Sequence, residues 1–335
     1  MSISLQKSGL ELGRVWLAPM TGVSDLPFRL TAVALGARYV ATEMVAAESL
    51  VAERPESVRR AAIGEGLPLM VVQLVGADAR LMAEGAAIAN RAGAHLIDIN
   101  FGCPAKSVTG IACGSALMRE PAKAEALVRR AVEAGEAPVS VKMRLGWDEA
   151  PGPAVELAQR AEAAGAHAIT VHGRTRMQFY TGHADWAAVR AVKRSVAIPV
   201  AVNGDVVGGA SAAAALAASQ ADAVMIGRAA IGRPWLAAQV EAELGGRAFL
   251  EPGPKERRGI VLAHLARSQS FYGPRLGLMM FRKHLAAYVE AAPWPHDTVE
   301  RRTARGGLCR LDDGAEIARG LTELWNRAED ARLAA

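Results

Sequence analysis

The chain of 335 residues is 51% hydrophobic and 22% charged, enough apolar material for a large core and too much for a disordered chain. Its 39 Lys and Arg against 34 Asp and Glu give a net charge of +5, which permits an anionic partner without requiring one. Three cysteines, a start (MSISLQKSGL) without a basic and apolar leader, and no apolar run near the ~20 residues of a membrane helix argue against a disulfide framework, secretion and membrane insertion, and point to the cytoplasm.

Eight short β-rich runs follow one another: Val15 to Met20, Ala37 to Met44, Leu69 to Val75, Leu96 to Phe101, Val139 to Met143, Ala168 to His172, Val200 to Asn203 and Ala223 to Ile226. Between most of them the spacing is helical, as in Ala122 to Ala134 behind Pro121, Ala154 to Ala164 before Gly165, and the alanine-rich Gly209 to Ser219. Near-continuous apolar strands alternating with helices predict an α/β fold with a parallel sheet. Eight such units within about 240 residues match a (β/α)8 TIM barrel of roughly 250 residues. A doubly wound open sheet is the alternative. The barrel is preferred because polar, glycine-bearing signatures stand at the carboxyl end of nearly every strand, where such barrels assemble their sites. After Trp235 the pattern changes: Gly245-Gly246 and Glu251 to Pro254 read as a linker, and the remainder reads as a small all-helical domain. The expected division is 1–242 and 243–335. Between Arg257 and Arg310 ten basic residues face three acids, which an RNA-binding surface would show and a solvated helix face would also show.

The strand ends carry the chemistry. Asn203-Gly204-Asp205-Val206 and Gly227 to Pro234 turn strand toward helix with exposed N–H groups, the place where barrels hold a phosphate, and Arg228 offers a charge-assisted contact. Lys142, inside an apolar strand, calls for a negative partner; a reduced flavin or a Schiff base would each use it. Gln73 can both donate to and accept from an imide edge. His172 suits a phosphate, a substrate carbonyl or simple burial. Cys103 ends a strand in INFGCPAK; a thiol of ordinary pKa, about 8.5, is protonated at neutral pH and suits a general acid better than a nucleophile, while packing as a small apolar residue is the bland account. Pro104 stiffens that turn, and Lys106 stands close enough in sequence to meet a phosphate. Cys113 reads as filler.

The runs LAPMTGVSDLPFR (Leu17 to Arg29), INFGCPAK, VKMRLGW (Val141 to Trp147), VHGRTR (Val171 to Arg176), NGD (Asn203 to Asp205) and MIGRAAIGRPW (Met225 to Trp235) together resemble the dihydrouridine synthases, and the bacterial B-type most. RKHLAAYVE (Arg282 to Glu290) resembles the family's C-terminal helical RNA-recognition domain, so the likeness spans essentially the whole chain. The resemblance implies an FMN-dependent barrel that uses NADPH to reduce the 5,6 double bond of tRNA uridines. It implies that Ala18, Pro19 and Met20 line the flavin, that Gln73 meets its pyrimidine edge and that Lys142 stabilises the reduced ring. His172, Asn203, Gly204, Asp205, Gly227 and Arg228 would hold the ribityl phosphate. Cys103 would protonate uracil C5 while hydride reaches C6. Asn100, Arg144 and Arg174 would orient the substrate, and Lys106, Arg282 and Lys283 would contact RNA phosphates. No metal is expected, and a monomer is. The family often carries a second basic residue after CPxK; this chain has Ser107, which removes one presumed RNA contact. Rival readings are a small-molecule pyrimidine or enoate reductase on the same barrel, a non-catalytic RNA-binding relative, and a flavin-free aldolase.

Overall fold

A computed structural model describes residues 3–5, 9–64, 67, 69–110, 112–148, 152–292 and 298–334; Asp297, one of the three acids counted above, lies outside them. Eight parallel strands form the centre: β1 (Val15–Leu17), β2 (Val40–Ala41), β3 (Met70–Val75), β4 (Leu96–Phe101), β5 (Val139–Arg144), β6 (Ala168–His172), β7 (Val200–Asn203) and β8 (Ala223–Ile226). Each strand pairs with the next, Val40 lies opposite Met70, and β8 returns to β1 through Val224 opposite Val15 and Ile226 opposite Leu17. The sheet therefore closes, and the open-sheet alternative falls. Residues of these strands are almost all buried on both faces, because helices cover the outside and side chains fill the inside.

The second strand is shorter than its apolar run suggests. Val40–Ala41 is followed by Thr42-Glu43, whose side chains leave the sheet pattern: the Thr42 hydroxyl accepts from Gln73 N at 3.0 Å, and the Glu43 carboxylate accepts from Gly22 N at 2.6 Å. Val45–Ala46 then rejoins the ladder opposite Leu74 and Val75. The helices expected at 122–134, 154–164 and 209–219 appear as Pro121–Glu133, Gly152–Ala163 and Gly209–Ser219.

At the amino end of the strands an antiparallel pair, Ile3–Ser4 with Glu11–Leu12, closes the barrel floor. Leu5, Leu12 and Trp16 pack there with Leu69, Leu96, Ala168, Ala201 and Ala223, and Trp16 stacks on Tyr39 at 4.8 Å. The first barrel helix, α1 (Leu26–Ala34), starts where the Asp25 carboxylate accepts from Phe28 N at 3.0 Å. The helix Leu236–Leu244 runs across the expected boundary at 242 and belongs to the barrel, since Glu241 accepts from Val15 N at 3.0 Å. Beyond it come α2 (Pro254–Tyr272), α3 (Pro274–Glu290), α4 (Thr298–Arg310) and α5 (Gly314–Ala334), which enclose their own core around Phe281, Leu285, Tyr288, Leu321 and Trp325. This helical region leans on α1, with Phe28 stacked on His284 at 5.3 Å.

Candidate active site

The carboxyl ends of the strands open into a cleft of two lobes, about 430 and about 510 Å³, which share Pro19, Met20, Lys142, His172, Tyr180 and Arg228 as common wall. The first lobe is built by the ends of β1, β7 and β8. Gly204 (φ +115°) and Asp205 (φ +56°) turn the chain sharply after β7. A Cβ on Gly204 would sit 2.7 Å from Ala184 Cβ and 3.2 Å from the His172 ring, so only glycine fits. Burial would raise the Asp205 carboxyl, but the Ala184 N–H at 2.7 Å and the Arg174 guanidinium at 2.7 and 3.0 Å outweigh it and hold it below its ordinary value.

Burial, with Lys142, Arg144, Arg174 and Arg228 around the ring, pushes His172 down to about 2. It is neutral at any physiological pH, and the first lobe sets three cations, Lys142, Arg174 and Arg228, around a neutral hydrogen-bonding ring. That donor set calls for an anion. Arg174 is only 2% exposed: it donates to the Thr181 and Gly182 carbonyls at 3.0 and 2.7 Å and so fixes the loop carrying Tyr180. Tyr180 stands 51% exposed, with the Arg228 guanidinium 4.6 Å and the Arg144 guanidinium 5.5 Å from its ring centre.

The second lobe is organised by a buried polar chain. Ser140 Oγ and Gln73 Nε2 each donate to the Asp98 carboxylate at 2.6 Å; Asn100 Nδ2 donates to Gln73 Oε1 at 2.9 Å; and Asn100 Oδ1 accepts from the N–H groups of Gly102 and Cys103 at 3.0 and 2.8 Å. Asn100 thus fixes the backbone that presents the thiol. Burial raises the Asp98 carboxyl, and Ser140, Gln73 and the Lys142 charge pull the other way. Lys142 donates to Asn203 Oδ1 at 3.2 Å, and burial, together with Arg144, lowers it to about 8. Arg144 spans the mouth by donating to the carbonyls of Gly102, Thr175 and Phe179 at 2.8, 2.9 and 2.9 Å. Cys103 is half-buried on the cleft wall, its carbonyl held by Ser115 N and Oγ at 3.1 and 2.9 Å. None of the three cysteines is in a disulfide; Cys113 is buried, and burial raises its thiol.

The predicted residues therefore gather around the cleft. Ala18, Asn203, Gly204, Asp205 and Gly227 line the first lobe, Gln73, Asn100, Cys103 and Arg144 the second, and Pro19, Met20, Lys142, His172 and Arg228 the wall they share. Asn100, Arg144 and Arg174, expected to orient a substrate, spend most of their hydrogen-bonding groups on loop backbone. Lys106 is exposed at the start of a short helix, Lys106–Thr109, outside both lobes. Arg282 and Lys283 diverge from one turn of α3: the Lys283 ammonium abuts Gly22 on the β1 loop, whereas Arg282 pairs with Asp312 and donates to the Leu311 carbonyl at 3.1 Å. Sequence reasoning missed Asp98, Ser140 and Tyr180. An acid inside the apolar run Leu96-Ile97-Asp98-Ile99 carries the same signal as Lys142 and was there to be found; Tyr180 lies in an irregular loop with no such mark.

A family model described as dihydrouridine synthase (Dus) matches residues 16–307. The chain is 50% identical over 299 residues to a protein of Rhodobacter capsulatus named probable tRNA-dihydrouridine synthase, spanning 88% of this chain and 91% of that one. To tRNA-dihydrouridine synthase B of Pseudomonas putida it is 43% identical over 279 residues, 83% of this chain and 82% of that one. Among solved structures it is similar to histamine dehydrogenase from Rhizobium sp. 4-9, with a TM-score of 0.55 and 12% identity over 79% of this chain and 51% of that one; this likeness is one of fold.

Proposed function

The chain belongs to the dihydrouridine synthase family, and from that premise we propose that it is a tRNA-dihydrouridine synthase, reducing the 5,6 double bond of tRNA uridines with bound FMN and NADPH as reductant. The observation that carries the reading is the two-lobed cleft, in which a cation-lined pocket adjoins a pocket walled by a thiol. The first lobe fits the phosphate of FMN: neutral His172, Arg228 and the Gly204 and Gly227 turns supply donors and charge without a competing carboxylate, since Asp205 is already held by Arg174. Ala18, Pro19 and Met20 would line the ring and Gln73 its pyrimidine edge. When bound, the flavin supplies hydride to uracil C6.

This chain's own part is to position and protonate. Cys103 gives its proton to C5 from a loop whose register Asn100 sets through two N–H contacts. Lys142, whose ammonium donates to the Asn203 amide oxygen, supplies the positive charge that a reduced ring or enolate oxygen needs. Arg144 holds the Cys103 and Tyr180 loops together over the mouth, which limits water at the reacting atoms.

In this reading the part expected at 1–242, carried on to the end of the helix Leu236–Leu244, is the catalytic, FMN-binding part, and the helices from Pro254 onward are the RNA-recognition part. A uridine must leave its stack to enter the mouth, at a cost of a few kcal/mol, and phosphate contacts from Lys283, Lys106 and Arg282 offset that cost. The protein acts as a cytoplasmic monomer. No helix among the described residues is long and apolar enough to cross a membrane. The deciding experiment incubates the protein with NADPH and tRNA lacking dihydrouridine and maps the product by mass spectrometry. Dihydrouridine at defined positions is expected; yellow, flavin-loaded protein that reduces free uracil but leaves tRNA untouched would replace the reading with that of a small-molecule reductase.

A further inference from the structure

Away from the cleft, Asp25, His264 and His284 meet where α1, α2 and α3 cross. One ligand atom of each lies within 4.8 Å of the others, and all three residues are buried, His264 and His284 to within 1% of complete exclusion. His264 Nε2 and both ring nitrogens of His284 have no hydrogen-bond partner. An unsatisfied buried polar atom costs roughly 1–3 kcal/mol, and folded proteins almost always fill such positions with a protein group, a water or an ion. Three unmet nitrogens beside one carboxylate mark a place that something other than the polypeptide completes.

The donor set is that of a metal rather than of an anion. Both rings are buried and three of their four nitrogens meet no hydrogen-bond partner, so each ring keeps a nitrogen free to ligate. His264 Nδ1 lies 3.0 Å from the Tyr288 hydroxyl, an outer partner of the kind that orients a ligating histidine and leaves Nε2 unpartnered. His284 lies against the main chain of Val23, outside hydrogen-bond geometry. Two nearby cations are otherwise engaged. Arg29 donates to the Ser24 and Ala62 carbonyls and to Met70 Sδ, and Arg267 to the Thr31 hydroxyl. The Asp25 carboxylate accepts from Phe28 N and interacts with the Tyr272 hydroxyl.

We propose that Asp25, His264 and His284 form a buried site for a divalent transition metal of the zinc type, which pins the first barrel helix to α2 and α3. Imidazole nitrogens and a carboxylate oxygen are ordinary zinc ligands, and bonds of about 2.0–2.2 Å in tetrahedral geometry would draw ligand atoms that lie within 4.8 Å of one another together by up to roughly 1.5 Å, a side-chain adjustment. The three residues are far apart in the chain and form no ligand spacing, which is why sequence alone led to the expectation of no metal.

Full-length protein stripped with a chelator and titrated with cobalt chloride tests this. Expected are saturable d–d absorption to the red of the flavin bands at a single cobalt per chain, a rise in melting temperature with metal, and X-ray absorption at the cobalt edge showing two imidazoles in the ligand shell. His264→Ala and His284→Ala should lose the absorption, and Cys103→Ala should keep it. A folded wild-type protein that gives no saturable absorption overturns the site and leaves ordered water as the partner of these rings; so does a ligand shell containing thiolate or lacking imidazole, a readout that holds even where a histidine variant fails to fold.

Discussion

Individual side chains at the cleft are held in states that cost the ligand-free fold something. Lys142 is the plainest case, lowered to about 8 by burial. Between that value and the ordinary 10.5 the unfolded chain binds the extra proton, so the stability of ligand-free protein should rise with pH across the window. Lys142→Met should abolish this rise and stabilise the ligand-free protein below pH 8 by roughly 1–3 kcal/mol, while weakening flavin retention. Denaturant melts below and above the window check it, and identical curves for variant and parent would count against an ammonium waiting for an anion. Cys103→Ala should leave flavin bound and lower dihydrouridine formation by at least about a hundredfold, the usual contribution of a positioned acid; normal turnover would remove its role. Asp98 never touches the cleft wall, yet Asp98→Ala strips the partner from Gln73 and Ser140. A loss of about 1–3 kcal/mol in stability and a looser flavin are expected, read from thermal melts with and without added FMN.

Elements were legible where a single physical rule dominated. Runs such as Met70–Val75 and Val139–Arg144 are buried on both faces, so hydrophobicity alone marks them, and the parallel alternation with helices fixes both the closure and the end at which the site must lie. The second strand was overestimated because Thr42 and Glu43 answer to partners on β3 and on the β1 loop, which no local pattern reveals. The same holds for the site: motif residues at strand ends were readable, whereas the Asn100 to Asp98 chain, the position of Tyr180 and the divergence of Arg282 from Lys283 depend on contacts across the fold. Close helix packing is a further long-range fact. A Cβ on Gly277 of α3 would stand 2.5 Å from the Ser268 carbonyl and 2.7 Å from the Gln269 backbone on α2. Gly277→Ala should therefore destabilise the protein by roughly 1–3 kcal/mol, seen as a lower melting temperature with flavin content unchanged at room temperature.

Taken whole, the molecule puts its chemistry at one pole and its closure at the other. The helical region reaches the chemical pole through Lys283 at Gly22, while Arg282 is already neutralised by Asp312. Lys283→Ala should weaken tRNA binding and flatten its dependence on salt by about 0.7 to 0.9 in the log–log slope for the phosphate lost, and Arg282→Ala should do less; filter binding across a salt series separates the two. None of the described residues at the opposite pole takes part. The hairpin of Ile3–Ser4 with Glu11–Leu12 seals the floor with Leu5, Leu12 and Trp16 and carries none of the reacting groups. An affinity handle or a surface tether attached on that side would thus hold the molecule upright, with its mouth turned toward the bulk liquid, and immobilised protein should keep the working face open to a partner as large as a folded RNA.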